Sequence, residues 1–413
     1  MRKTRFAVVS AALVFPILII ALLRPGAVGA QDAGIPSLKS LQALVDSQKQ
    51  SADLAKSDPV TYAWDLFFYT GWPARSGPDR RGEPDPDKKF GVGPVVWETW
   101  KNTSETYLCN GHAPMKWNAA ETIPPALCPP AVGVIPPAQP SDSGDLWQNQ
   151  TGDSEVDGFP AMDNENQAIV YEIRTDKDSF EYVLKRALYN IDGQIKYAAA
   201  KGALNFDWSA MEVKASWRWL DTTQTGCTAD DYFTANALWA DKDSSGKFVK
   251  WRTGLAGLTG LHILTKALPQ WVWITFEQVN NEKCTQVKRR DPIPQNIAAI
   301  NAQMQKALAG TKWANYELVG VQIAATDANK PVVLANTQIE TAFQSRSSCL
   351  TCHAVASIAT HKPTQPADDL RKSFLQRTPP VSPPYYIGDP PSLAPWIGQD
   401  FVWSLRRAFW YQK

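Results

Sequence analysis

Hydrophobic and polar residues alternate with a period of two in the middle of the chain. In residues 211–220 (MEVKASWRWL) one face of a predicted strand is shared by Met211, Val213, Ala215, Trp217 and Trp219. Similar strand patterns follow at 231–240, around 261–266, at 270–279 and at 316–324. These strands follow one another without regularly alternating helices. The pattern therefore predicts an antiparallel sheet with flanking helices, in the α+β class.

Other segments have the spacing of helices. The predicted helices cover 38–56, 58–72, a short stretch at 95–101, 178–199, about 292–309 and 341–361. Residues 113–159 are rich in Pro, Ser, Asp and Gly and predict a long irregular excursion. A tract with nine prolines between Pro363 and Pro395 predicts an extended arm, and the last residues predict a short helix that docks on the core.

These patterns divide the chain into consecutive regions. Residues 31–159 form a helical and loop-rich N-terminal region, and residues 160–338 form the antiparallel sheet region. Residues 339–413 combine a C-terminal helix with the Pro-rich arm. A length of 383 residues after position 30 fits one composite domain or two ordinary ones, and we expect one.

The N-terminus has the pattern of an export signal. Arg2, Lys3 and Arg5 precede an apolar run from Phe6 to Leu23, and small residues follow up to Ala30. We expect a signal peptide at 1–30 and a periplasmic or secreted mature chain. The alternative is an uncleaved anchor, because the run reaches the lower limit for a bilayer-spanning helix. No later segment is apolar and long enough to span a membrane.

Charge and cysteine content agree with an exported protein. Without residues 1–30 the balance is 38 basic against 41 acidic residues, a net charge of −3, and no basic run predicts nucleic-acid binding. Four of the six cysteines are available for disulfides, most simply Cys109 with Cys128 and Cys227 with Cys284. Other pairings, or free buried thiols, are the alternatives.

The remaining two cysteines belong to the pentapeptide CLTCH. Cys349, Cys352 and His353 form a CxxCH motif, the attachment signature of c-type haem. The two thiols form thioethers with the haem vinyl groups, and the histidine supplies the proximal iron ligand. On a helix, the spacing i, i+3, i+4 brings all three side chains to one face. The motif predicts one covalent haem c.

Three other interpretations of the motif remain. A zinc site needs four ligands and would have to recruit His361 or a distant cysteine. A thioredoxin-type dithiol requires a βαβ unit, which the sequence does not indicate. A structural disulfide is the third alternative.

The sequence leaves the second axial ligand of the iron open. No methionine follows Cys352, and His361 lies too near His353 along the chain to reach the opposite haem face. His262 is the leading candidate, although a hydrogen-bonded histidine beside the sheet would give the same pattern. The iron is otherwise five-coordinate, or bound by one of the weaker candidates His112, Met115, Met162, Met211 and Met304.

Some further residues are candidates for haem contacts. Arg346 lies one turn before Cys349 and is a candidate partner for a haem propionate, with solvated surface charge as the alternative. The chain contains 17 tryptophans. Core packing explains most of them, but alternating Trp on strands also suits a flat haem pocket or a sugar-binding platform.

Two segments carry a resemblance to a known family. GLTGLHILTKALPQWVWITFEQVNN (257–281) and SSCLTCHAVASI (347–358) resemble exported bacterial single-haem cytochrome c family proteins. The resemblance implies haem c and export, and no established reaction. A weaker likeness is to β-rich haem c proteins that oxidise hydroxylamine or bind nitric oxide, through Asp400-Phe401-Val402-Trp403. That likeness would make Lys266 a candidate crosslinking lysine, but the segment stands 47 residues after His353 instead of shortly after it.

Two functions follow from these expectations. The first is an electron carrier that cycles between Fe(III) and Fe(II) and meets a redox partner protein. The second is a haem enzyme or gas-binding protein, whose open iron site takes hydroxylamine, nitric oxide or peroxide as small-molecule substrate. A sheet domain that binds another molecule and uses haem as a relay is a third. The chain is larger than a minimal carrier needs, but size names no substrate.

Overall fold

A computed structural model of the chain describes most of the residues from position 34 onward. The described ranges are 34–77, 79–119, 146–148, 163–165, 169–220, 224–242, 248–328, 330–354, 356–358 and 397–412. The proposed signal peptide, Met162, His361 and the Pro-rich arm lie outside them. The chain from Ile35 onward groups into one unit.

Three consecutive helices begin the fold, each started by a polar cap. They are α1 (Leu38–Val45), α2 (Gln48–Ser57) and α3 (Pro59–Thr70). The side chain of Ser47 accepts a hydrogen bond from the Gln50 amide, which starts α2 and divides the single helix predicted at 38–56. Asp58 caps α3 in the same way, and Pro59 occupies its first turn, where no amide hydrogen bond is lost.

The described residues contain six further helices. They are α4 (Thr103–Thr106), α5 (Lys177–Lys185), α6 (Ile191–Lys201), α7 (Asn281–Cys284), α8 (Gln295–Ala307) and α9 (Cys349–His353). Short 3-10 helices cover Val96–Thr99, Lys312–Asn315, Thr341–Arg346 and Trp403–Arg407. The predicted helix at 178–199 is two helices, because Asn190 caps a new start at α6.

Eight strands form the main sheet. They are β1 (Lys101–Asn102), β2 (Leu146–Gln148), β3 (Val170–Thr175), β4 (Met211–Trp219), β5 (Thr234–Lys242), β6 (Phe248–Thr265), β7 (Val272–Gln278) and β8 (Tyr316–Gln322). The long strand β6 pairs with β4 on one side, and with β5 and then β7 on the other. β3 continues beyond β4, and β8 beyond β7. Every pairing in this sheet is antiparallel except β2 with β5, which is parallel.

Two small ladders complete the strands. β9 (Thr326–Asp327) pairs with β10 (Lys330–Pro331), and β11 (Ser357–Ile358) pairs with β12 (Ile397–Gly398). The second ladder joins the segment after α9 to the C-terminal segment. The described part of the fold is therefore α+β with a mainly antiparallel sheet, as predicted. The continuous helix predicted at 341–361 is wrong, because the described residues of this segment form a 3-10 helix, the short helix α9 and the strand β11.

One face of the sheet is apolar and packs on the N-terminal helices. Phe276 of β7 contacts Trp64 and Phe67 of α3, with ring centroids 5.0 and 4.4 Å apart. The side chains that the alternation assigned to one face of β4 all belong to this core. Burial of this aromatic and aliphatic surface is the main stabilising term of the fold.

The opposite face mixes apolar and polar side chains. Leu264 of β6 and Trp273 of β7 join a second core with α5, α6 and the segment 402–408. Polar side chains, including His262, share this face of the sheet. Gly260 of β6 lets a loop approach this face, because a Cβ there would stand 2.8 Å from the Asn336 side chain. This mixed face carries the helix α9.

A disulfide links the segment before β5 to α7. Cys227 and Cys284 are bonded and fully buried, as predicted. Cys109 is also disulfide-bonded, and its predicted partner, Cys128, lies outside the described residues. Within the described ranges, none of the helices has the length and apolar character needed to cross a bilayer.

Candidate functional site

The helix α9 is attached to the sheet through one buried glutamine. Gln322, at the end of β8, accepts a hydrogen bond from the Leu350 amide (3.2 Å) and donates one to the Ser348 hydroxyl (2.9 Å). Ser348 in turn caps the helix by accepting from the Thr351 amide. The first turn of a helix has unpaired amides, and these contacts satisfy two of them. The position of the CxxCH motif over the sheet is therefore set by β8.

The imidazole of His353 has a defined tautomer. Its Nδ1 lies 2.7 Å from the carbonyl oxygen of Phe401. A carbonyl can only accept, so Nδ1 carries the proton and Nε2 keeps its lone pair. Histidines that bind metals commonly donate the other ring N–H to a carbonyl in this way, which fixes the ring and raises its basicity.

The surroundings keep this imidazole neutral. Burial, together with the electrostatic influence of Lys214 and His262, lowers the pKa of His353 to about 4, against the opposing effects of the hydrogen bond to Phe401 and of Glu340. The Trp273 ring packs against the imidazole, with centroids 4.3 Å apart. At neutral pH the His353 side chain is therefore neutral and its Nε2 is unprotonated, which is the state that a metal ligand requires.

Both cysteines of the motif lie on the same helix and outside any disulfide. Cys349 and Cys352 are partly buried and not bonded to each other. Burial, followed by the nearby Glu340 carboxylate, raises the pKa of Cys349 well above its usual value. A redox-active dithiol has a lowered thiol pKa, usually beside a positive charge or a helix N-terminus. The environment of Cys349 is the opposite, which disfavours the thioredoxin-type interpretation.

The segment around Phe401 returns to α9 from far along the chain. Besides the Phe401 carbonyl, the Trp403 indole donates to the Cys352 carbonyl at 3.2 Å. The Gln399 amide donates to the Ala356 carbonyl at 2.8 Å. The Asp-Phe-Val-Trp sequence singled out above thus contacts the CxxCH helix despite its large separation in sequence.

His262 lies in the electrostatic neighbourhood of His353. It is opposite Lys214 of β4 and Thr275 of β7 on the mixed face. Its Nε2 is buried, has no hydrogen bond, and stands 3.5 Å from a carboxylate oxygen of Glu340. Burial would raise the pKa of Glu340, but His262 lowers it below the usual value. Lys214, His262 and Glu340 all influence the pKa of His353, so four titratable groups converge beside the motif.

The weaker candidates for an iron ligand have other surroundings. His112 is exposed, approaches the Gln412 carbonyl at 2.8 Å and stacks on Tyr411. Met211 and Met304 pack in the core on the apolar side of the sheet, and Met115 is 55% exposed. The Arg346 side chain lies outside the part of the chain whose side chains are described.

Lys266 is engaged with the Asp-Phe-Val-Trp segment. Its ammonium donates to Asp400 (2.5 Å) and to the Pro269 carbonyl (2.7 Å), and both charged side chains are less than a tenth exposed. The roles of Gln322 and of the Phe401 carbonyl are not evident from the sequence. The four-residue likeness is the only signal for the Phe401 segment, and none points to Gln322.

The described side chains offer no alternative metal centre. Within the described ranges, no three His, Cys, Asp or Glu side chains are grouped to hold a metal ion directly. A closed four-ligand zinc set is therefore not formed by these residues. The donors at α9 instead fit haem, which needs one histidine nitrogen and two thiols. No protein-family model, curated protein or solved structure matches this chain.

Proposed function

We propose that this protein is an exported c-type cytochrome that carries one covalent haem and transfers electrons. Cys349 and Cys352 would hold the haem as thioethers, and His353 would bind its iron through Nε2. The observation that carries the proposal is the hydrogen bond from His353 Nδ1 to the Phe401 carbonyl. It leaves Nε2 as a neutral donor next to two thiols on one helix, neither of them in a disulfide.

The haem would supply a one-electron Fe(III)/Fe(II) couple. The chain's own residues would set the properties of that couple. Phe401 holds the ring of His353, Trp273 packs on it, and Gln322 attaches the helix to a rigid sheet. Such fixed contacts favour electron transfer, because the protein need not rearrange when the charge changes.

Export is supported by two features. The first 30 residues have a basic start, an apolar run and a small-residue end. The disulfide between Cys227 and Cys284 is of a kind that persists in oxidising compartments. We propose a periplasmic or secreted location, with a redox partner protein as the electron donor or acceptor.

The test is production of the full chain together with a c-type haem maturation system. Haem that stays with the chain after denaturation and organic extraction supports the proposal, and loss of this haem in a Cys349→Ala/Cys352→Ala variant identifies the attachment site. His353→Ala should lose the native spectrum, while the matched control His112→Ala should keep it. A wild-type chain that matures without covalent haem would refute the proposal.

A second candidate function rests on the convergence of His262, Glu340 and Lys214 beside the motif. A haem enzyme or gas-binding protein needs acid–base groups near an open iron site, and these residues would supply them. His262 is alternatively the second iron ligand, which would close the site and favour electron transfer. Absorption spectra distinguish an open iron site from a closed one, and a low-spin form insensitive to carbon monoxide would exclude the enzyme function. An unchanged spin state in His262→Ala would exclude His262 as the second iron ligand.

A further inference from the structure

A tight turn places the carbonyl oxygen that receives the His353 proton. The turn runs from Gln399 to Val402 and is closed by the hydrogen bond from the Val402 amide to the Gln399 carbonyl (3.0 Å). Its two central residues both have left-handed backbones, with φ of 52° at Asp400 and 68° at Phe401. Turns of this kind normally contain glycine or asparagine, and a bulky residue such as Phe401 is disfavoured there.

The turn is held from both sides through the Asp400 carboxylate. One oxygen accepts from the Lys266 ammonium, and the other accepts from the Phe206 amide at 2.7 Å. Lys266 lies just beyond the end of β6 and also donates to the Pro269 carbonyl. The Lys266 and Asp400 side chains are 7% and 6% exposed, so little water competes for the ion pair. A disfavoured backbone persists only where its surroundings determine it in this way.

From this geometry we infer that the buried ion pair between Lys266 and Asp400 is a positioning device for the haem ligand: it fixes the turn whose Phe401 carbonyl orients His353 and sets its basicity. The inference rests on the proposed function for its consequence at the haem. Its structural part concerns only this chain, because each hydrogen bond in it joins two of the chain's own residues. Lys266 is thus a positioning residue, acting through Asp400 and Phe401.

The direction of the effect follows from ligand chemistry. A strong hydrogen bond from Nδ1 makes the imidazole a better electron donor, which stabilises the more positive Fe(III) state. Releasing the turn would weaken that bond and raise the reduction potential. A tenfold change in the preference for Fe(III) over Fe(II) corresponds to about 59 mV for a one-electron couple, and we expect a rise of up to this size.

The experiment compares Lys266→Met and Asp400→Asn in the full chain. Asparagine accepts a left-handed backbone, so Asp400→Asn removes the charge without changing the conformational preference. Lys266→Arg keeps the charge and should restore the wild-type behaviour. Lys101→Met is the matched control, because Lys101 is a fully buried lysine that pairs with Glu105 on another part of the sheet.

Two measurements decide the outcome. Nitrogen NMR of the haem-free chain should report a single Nδ1-protonated His353 in the wild type and in Lys101→Met, and a mixture of tautomers in Lys266→Met and Asp400→Asn. In the haem-loaded chain, the potential should rise in the latter two variants only. If Lys266→Met fails to fold, Asp400→Asn and the neutral double variant of both positions give the same readouts.

The results also separate the two proposals. An unchanged tautomer together with an unchanged potential in Asp400→Asn would overturn the positioning role, even in a chain that carries haem. A wild-type chain without covalent haem would overturn the proposed function, while the tautomer measurement would still decide whether Lys266 and Asp400 position His353.

Discussion

Replacing Gln322 by methionine should loosen the CxxCH helix while leaving the sheet intact. Methionine fills a similar volume but cannot accept the Leu350 amide or donate to the Ser348 hydroxyl. The hydroxyl keeps a partner, because Ser348 also donates to the Thr351 side chain at 3.0 Å. The Leu350 amide keeps none, since it lies in the first turn of α9 on a residue only 7% exposed.

The expected cost follows mainly from that buried amide, because Ala324, whose carbonyl also accepts from Gln322, is exposed and its carbonyl can bind water instead. Leaving a buried donor unpaired destabilises a protein by about 1–3 kcal/mol, so we expect Gln322→Met to lower the free energy of unfolding by about 2 kcal/mol. Gln322→Glu keeps the acceptor for Leu350 and should restore part of the loss. Gln305→Met is the control, because Gln305 makes one long hydrogen bond, 3.3 Å to the Tyr316 carbonyl.

The assay is urea unfolding of the haem-free chain, followed by tryptophan fluorescence, together with the yield of covalent haem after maturation. Gln322→Met should shift the midpoint to lower urea and reduce the yield, whereas Gln305→Met should stay within about 0.5 kcal/mol of the wild type. A Gln322→Met chain as stable as this control would refute the idea that β8 fixes the helix.

Three further predictions concern the scaffold. Burial, with help from Glu172, raises the pKa of Glu98 to about 8. Between about pH 4.5 and 8 the folded chain therefore binds more protons than the unfolded chain, so the free energy of unfolding should fall as pH rises through this window. Urea unfolding of Glu98→Gln should show a flatter pH dependence. The Cys227–Cys284 bond spans 57 residues, so a Cys227→Ala/Cys284→Ala variant should lose about 4 kcal/mol in urea unfolding. Gly193→Ala should lower the melting temperature, although alanine favours helices, because its Cβ would stand 1.8 Å from the Ala187 carbonyl oxygen.

Local patterns predicted the sheet and its faces well. Period-two alternation located β4 to β8. It also placed Leu261 and Ile263 on the face opposite His262 and Leu264, and in the structure Leu261 and Ile263 belong to the first core and Leu264 to the second. The strand β3 was missed, since its run VYEIRT is buried along its whole length and alternates weakly. Helix boundaries were less accurate, because Ser47 and Asn190 start new helices inside segments with continuous periodicity.

The candidate site was predictable only where its residues are neighbours in sequence. The spacing of Cys349, Cys352 and His353 predicted that they share a helix, which α9 confirms, while the haem that the motif indicates stays a prediction. The partners of that motif come from β8, from the end of β6 and from the turn at Asp400, and only the folded topology brings these together. No local pattern indicates that Gln322 contacts this helix, and only the Asp-Phe-Val-Trp likeness pointed to the segment of Phe401, because each contact depends on long-range pairing and not on periodicity.

The long return of the chain to α9 determines the order in which the site can assemble during synthesis. The hydrogen-bond acceptor of His353 lies 48 residues further along the chain, and a protein is made from its N-terminus. Until Phe401 has emerged, on the far side of the membrane if the chain is exported as proposed, the CxxCH segment exists without the turn that locks its histidine or the Trp403 indole that donates to its backbone. Under the proposed function, an enzyme that attaches haem would reach Cys349 and Cys352 in this interval, before the final turn fixes the motif in the folded protein.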